Sequence, residues 1–260
     1  LIDLPEQPAD PNAPMVEREE ESFFHHGIRP NPAALPQGED PALQKNNNRA
    51  ERTAVATTMS VLSSWAGLSA SVSPSDNSLA VGPNHVVQMT NNSSSTYIRV
   101  WNKAGTTLVA NKLVNSFSAI SDYGDPNIIY DQAADRFVFV LLYSKSAKKL
   151  EVCVSQTNDP TGAWYVYSFT TSAFPDYPKL GVWGSSYIIT TNQSTPTIYA
   201  LNRTSMLAGS GTGTAQVFTM SRFPAIGFQA ASPVTQTGST LPPANSPAQV
   251  MRVADDAWGT

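Results

Sequence analysis

Three aspartates, Asp76, Asp125 and Asp176, recur at spacings of 49 and 51 residues in a chain of 260. Each stands just before a short apolar run: Leu79-Ala80-Val81, Ile128-Ile129-Tyr130 and Leu180-Gly181-Val182. The spacing puts the three carboxylates at equivalent places in successive repeats, gathered around one point. Carboxylates held that close repel one another unless something neutralises them. A hard cation such as Ca²⁺ would do so through carboxylate, carbonyl and water oxygens, which makes Asp76, Asp125 and Asp176 a candidate metal site. The same three could instead serve as catalytic acids and bases. A plainer reading is turn formation, because an Asp side chain caps nearby backbone N–H groups. Ser75-Asp76-Asn77 and Asp125-Pro126 are good turn sequences, and no Asp stands at the matching place near Gly227 in a fourth repeat.

Other chemistry-bearing residues are sparse. His85 is the only histidine beyond His25-His26 and follows the turn Gly82-Pro83-Asn84, so it reads as a strand-edge residue. Adjacent histidines rarely chelate one ion together, so His25-His26 reads as part of a solvated segment. Cys153 sits in Leu150-Glu151-Val152-Cys153-Val154, the pattern of a buried strand thiol. Asp159 belongs to the turn Asn158-Asp159-Pro160-Thr161-Gly162 that leads into Trp164. Asn102-Lys103-Ala104-Gly105 and Asn202-Arg203-Thr204 fill the corresponding turn in the other repeats. The chain carries no P-loop, dinucleotide fingerprint or nucleophile elbow.

The elements that must position these residues are short and β-rich. Runs such as His85–Thr90, Thr96–Trp101, Arg136–Tyr143, Lys149–Ser155, Tyr187–Thr191 and Thr197–Leu201 alternate with Gly, Pro, Asn and Asp turns. No helix of three turns is expected, and Thr204–Leu207 reads as a single turn. The second strands centre near Val86, Val138 and Ile188, the third near Val100, Val152 and Tyr199. A four-stranded unit recurring about every 50 residues is the pattern of a β-propeller blade. A β-sandwich also has closely spaced strands but gives no reason for that period. The expected fold is all-β: a propeller over residues 54–260, with about three clear blades and the start of a fourth near Phe228, incomplete in this chain.

Residues 1–53 differ in kind. Eight of the 20 prolines lie in the first 50 residues, without sustained periodicity, and residues 1–52 hold 10 acidic against 5 basic side chains. Such a segment cannot bury enough apolar surface to offset its ordering entropy, so it reads as an extended acidic arm. Within it Val16–His26 is expected to form a short helix or a segment that docks on another subunit. The remainder is close to neutral, with no basic patch for nucleic acid. No apolar run is long enough for a transmembrane helix. Only 14% of residues are charged while Ser, Thr, Asn and Gln abound, the surface of a secreted bacterial β protein.

Five stretches carry a family resemblance: SPSDNSLAVGPNHVVQ from Ser73; Gly124–Asp131 with Asp135-Arg136-Phe137; Asn158–Gly162; Asp176–Trp183; and Asp255-Asp256-Ala257-Trp258-Gly259. In this order they resemble a family of large secreted or cell-surface bacterial β-propeller proteins, frequent in Bacteroidetes and often carrying a type IX secretion sorting domain. Ser75 and Ser78 depart from the Pro and Gly usual in that family's first motif. The resemblance implies a surface location and a non-catalytic role in binding a partner protein or surface glycan. A second likeness links Asp125–Tyr130 and Arg136–Tyr143 to the blade openings of arabinanase-like glycosidases, which use two aspartates and a glutamate around the axis. That likeness implies a carbohydrate-active hydrolase or lyase. The only Glu after residue 51 is Glu151, on a third strand away from the axis, a poor place from which to face a base across a sugar, so this class is disfavoured unless an Asp serves as the acid or the acid lies beyond Thr260.

Overall fold

The computed structural model describes residues 63–93, 95–116, 120–211, 214–222 and 229–252, with the backbone of Val16–Glu17. His25-His26, Gly227, Phe228 and Asp255–Gly259 lie outside the described residues. Val16–Glu17 (β1) pairs in parallel with Val72–Ser73 (β2), so at those two residues the chain is a strand and not the start of a helix.

Three four-stranded antiparallel sheets follow, each built in chain order. The first comprises β3 (Ser78–Val81), β4 (His85–Asn91), β5 (Thr96–Asn102) and β6 (Thr107–Leu113). The second comprises β7 (Gly124–Asp131), β8 (Arg136–Leu142), β9 (Lys149–Ser155) and β10 (Trp164–Thr170). The third comprises β11 (Asp176–Trp183), β12 (Ser186–Asn192), β13 (Thr197–Asn202) and β14 (Ala215–Thr219). One short helix, α1 (Arg203–Leu207), joins β13 to β14, with Asn202 Oδ1 accepting the Ser205 N–H at 2.9 Å. Asn102 does the same work in the first sheet, where its Oδ1 accepts the Ala104 and Thr106 N–H groups. The two-stranded piece β15 (Ser232–Pro233) with β16 (Val250–Met251) comes last.

The first strands of the sheets lie side by side, with β7 between β3 and β11, and β15 beyond β11. Short polar side chains link these inner strands. The Ile128 N–H donates to Ser78 Oγ (2.9 Å), and the Leu180 N–H to Asn127 Oδ1 (2.7 Å). The Val182 N–H then donates to Thr235 Oγ1 (2.9 Å) and the Gln236 N–H to the Val182 carbonyl (2.9 Å). The core therefore lies between sheets. Val87, Met89 and Val100 of the first meet Ile128, Phe137, Phe139 and Cys153 of the second. Val138, Val152 and Val154 of the second meet Leu180, Tyr187, Ile189 and Tyr199 of the third. Alternate residues of β8 thus serve different cores, so every position of that strand after Arg136 is apolar. Each large side chain buried this way contributes roughly 1.5–3 kcal/mol.

Among the described residues the first sheet has no such partner on its other face. Leu79 and Val81 are 56% and 45% exposed, whereas Ile128 and Leu180, both counterparts of Leu79, are 2% and 6% exposed. Farther out, residues 63–72 cross that face. The Leu68 N–H donates to Gln88 Oε1 (2.8 Å), and Leu68 packs with Val86 and Trp101.

Candidate functional site

The strand entries at the start of β3, β7 and β11 form the site. A bulge interrupts β7 between Gly124 and Asn127, and another interrupts β11 between Asp176 and Lys179. Each holds a proline, Pro126 or Pro178, where the missing N–H costs no ladder bond. The residue before each proline has a left-handed backbone: Asp125 at φ 53° and Tyr177 at φ 51°. Asp76 matches them at φ 39°. The register thus makes Asp76, Asp125 and Tyr177 equivalent. Asp176 lies one residue earlier, opposite Asn192 as Gly124 is opposite Leu142. The expected three-fold equivalence of the aspartates therefore fails at Asp176.

The hydrogen bonds follow the corrected register. The Asp125 N–H donates to Asn91 Oδ1 (2.9 Å), the last residue of β4. The Tyr177 N–H donates to Asp125 Oδ2 (3.2 Å). The Gln229 N–H donates to Asn192 Oδ1 (2.8 Å), the last residue of β12. Gln229 thus fills the fourth place, two residues beyond Gly227, and is fully buried. Asn91 and Asn192 each tie a strand entry to the next sheet. At the end of β8 the same place is held by Leu142, which has no acceptor, and Asp125 itself reaches the next entry instead.

The three carboxylates still come together. Asn91 Nδ2 donates to Asp76 Oδ2 (2.8 Å) and lies 3.5 Å from Asp125 Oδ1. Asn192 Nδ2 donates to Asp176 Oδ2 (2.6 Å). Asp125 and Asp176 are 3% and 6% exposed. Burial pushes the Asp176 carboxyl up to about 6, and the nearby Asp125 and Asp76 charges add to the rise against the Asn192 hydrogen bond. The Tyr177 phenol is also raised, first by burial and then by the three aspartates, and Lys179 Nζ lies 3.3 Å from the centre of its ring. Among the described residues no three His, Cys, Asp or Glu side chains are arranged to hold a metal ion.

The remaining candidates fall elsewhere. Glu151 is buried and bonded to Ser168 Oγ (3.2 Å), away from the aspartates. Cys153 is fully buried, and burial raises its thiol well above the usual range. His85 Nε2 lies 3.7 Å from Asp159 Oδ1, joining the first sheet to the turn before β10. Burial raises the Asp159 carboxyl, but the Thr161 hydroxyl and N–H outweigh it and hold the group below its usual range, with His85 adding to them. In the same turn Trp164 Nε1 donates to the Pro160 carbonyl (3.1 Å).

Sequence reasoning missed a second polar centre. Asp131, at the end of β7, is 1% exposed and accepts both Arg203 Nε (2.6 Å) and Nη2 (2.9 Å) from α1. The Tyr187 hydroxyl donates to the same carboxylate (3.0 Å). No signal in the sequence couples residues 72 positions apart. Asn91 and Asn192 were legible in principle, since each ends a seven-residue second strand. No protein-family model matches the chain, and no curated protein matches it either.

Proposed function

We propose that the three sheets are blades of a β-propeller and that the protein is a secreted or cell-surface module that binds without catalysis, taking a partner protein or a surface glycan. Adjacent inner strands and one meander per repeat support the propeller reading. The low charge content and polar surface support an extracellular location. The observation that carries the non-catalytic reading is the occupancy of the repeated carboxylates. Asp76 and Asp176 accept from asparagines of their own sheets, and Asp125 accepts from the Tyr177 N–H of the next. Groups so engaged hold strand entries in place.

The rival reading is a glycosidase or lyase that uses Asp76, Asp125 and Asp176. It draws on Asp176, whose raised carboxyl is the kind of group an acid catalyst needs. Assays on a panel of plant and bacterial polysaccharides, with wild type and Asp125→Asn, separate the two. We expect no turnover from either protein. Turnover lost in a folded Asp125→Asn variant would establish the enzyme. A glycan array and surface-protein binding assays then identify the ligand class.

A further inference from the structure

Where α1 lies beside β10, the outer strand of the second sheet, the chain leaves a cavity of about 240 Å³. Its floor is apolar: Tyr167 and Phe169 of β10, Leu201 of β13 and Met206 of α1, all four buried. The Tyr167 hydroxyl donates to the Met206 carbonyl (2.7 Å), so ring carbons are what this tyrosine offers a ligand. The rim is polar. Asn202 Oδ1 accepts the Ser205 N–H (2.9 Å), while Asn202 Nδ2 and Ser205 Oγ have no partner among the described residues. The turn after α1 forms the remaining wall. The Gly209 and Ser210 N–H groups donate back to the Met206 (3.2 Å) and Ser205 (3.0 Å) carbonyls, with Gly209 left-handed at φ 72°. A Cβ on Gly211 would come to 3.0 Å from the Tyr167 ring, so a side chain there would crowd the floor. None of the lining side chains is charged.

We propose, building on the glycan reading above, that this cavity holds one neutral sugar unit, its C–H face on the Tyr167 and Phe169 floor and its hydroxyls on Asn202 Nδ2 and Ser205 Oγ. Size supports a single ring. Sites for drug-sized ligands enclose roughly 300–1,000 Å³, and this one is smaller. A sugar ring carries C–H groups on one face and hydroxyls around its edge, which matches an apolar floor under a polar rim. Asn202 Nδ2 only donates and Ser205 Oγ both donates and accepts, so a hydroxyl can satisfy either one. A wholly apolar ring would cover both and leave them unpaired.

The uncharged lining sets the class of sugar. A carboxylate or phosphate on the ligand would lose water here and meet no cation. The walls are also fixed before a ligand arrives, because backbone bonds hold the turn after α1 and the Asn202 cap holds its start. Little ordering cost then falls on binding. The site lies on the outer strand of the second sheet and on α1, away from Asp76, Asp125 and Asp176 at the inner strand entries.

Methyl NMR of methionine-labelled protein tests the site, with Met206→Leu assigning the Met206 signal. The probes are the methyl glycosides of glucose, galactose and mannose, with methyl glucuronide as the charged comparator. At least one neutral glycoside should shift Met206 with a Kd on the order of millimolar. Met89, buried between the first and second sheets, should not move. Methyl glucuronide should bind about tenfold more weakly or worse. Ser205→Ala removes the hydroxyl, and Asn202→Asp keeps the capping oxygen while removing the Nδ2 donor. Each should weaken binding roughly two- to tenfold. Unchanged binding in both variants overturns the site, and glucuronide binding as tight as the neutral sugars overturns the neutral class. A silent Met206 in a protein that binds on a glycan array overturns the cavity and leaves the glycan reading standing. Silence on both overturns the two together. A tyrosine dipeptide that shifts Met206 where the glycosides do not overturns the sugar in favour of a partner protein's side chain.

Discussion

The Arg203 guanidinium grips the Asp131 carboxylate across the boundary between the second and third sheets, with Nε 2.6 Å from Oδ2 and Nη2 2.9 Å from Oδ1. Burial alone would lower the arginine, but the Asp131 carboxylate outweighs it and holds the guanidinium above its ordinary range. Removing one member leaves the other charge stranded. Arg203→Met should cost about 3–5 kcal/mol in urea unfolding. Tyr187→Phe removes one neutral donor to the same charge and should cost about 1.5–3 kcal/mol.

Asn91 offers a sharper test of how neighbouring sheets are joined. Asn91→Leu copies what the chain has at Leu142, but it leaves the buried Asp125 N–H without its acceptor. We expect a loss of about 1–3 kcal/mol by chemical denaturation. Asn91→Asp keeps an acceptor while placing a carboxylate beside Asp76. Its loss should be larger at pH 8 than at pH 5, and equal losses at both would show that repulsion between the new carboxylate and Asp76 contributes nothing over that range.

Asp176 should make stability depend on pH in the acid range. Its carboxyl is about 6 in the folded chain against 3.8 for the free group, so the folded form holds its proton longer. That contribution is full below about 4, fades as pH rises through about 6, and amounts to on the order of 3 kcal/mol. Asp176→Asn should flatten the stability curve between pH 4 and 7. An unchanged slope would mean that the group titrates normally.

Chelation separates the metal reading of the same residues. Amide and backbone donors already engage the carboxylates, so EDTA should leave the melting temperature unchanged and added Ca²⁺ should not raise it. A bound ion would raise it in a concentration-dependent way through mass action.

Much of the architecture was legible because it is periodic. Strand limits read from alternating β-branched residues agree with the structure within a residue or two, as at His85–Asn91 and Arg136–Leu142. The finer register was not. Val87, not Val86, is the counterpart of Val138, and Val154 rather than Val152 pairs with it. In the second sheet, which lies between two cores, both parities of a strand are hydrophobic, so the pattern that normally fixes register carries no sign there. The same ambiguity aligned Asp176 with Asp125 when the bulge makes Tyr177 its counterpart. A search for repeated aspartates also passed over Gln229, because what repeats there is a backbone N–H that needs an acceptor, whatever the side chain.

The uncovered strip on β3 has a practical consequence. Among the described residues, Leu79 and Val81 show β3 side chains to water side by side, an apolar pair of the kind through which chains cluster. Concentrated solutions of this polypeptide should scatter light more than dilute ones, with clustering beginning at that pair. Lysine at position 79 should keep them clear without disturbing the cores between the sheets.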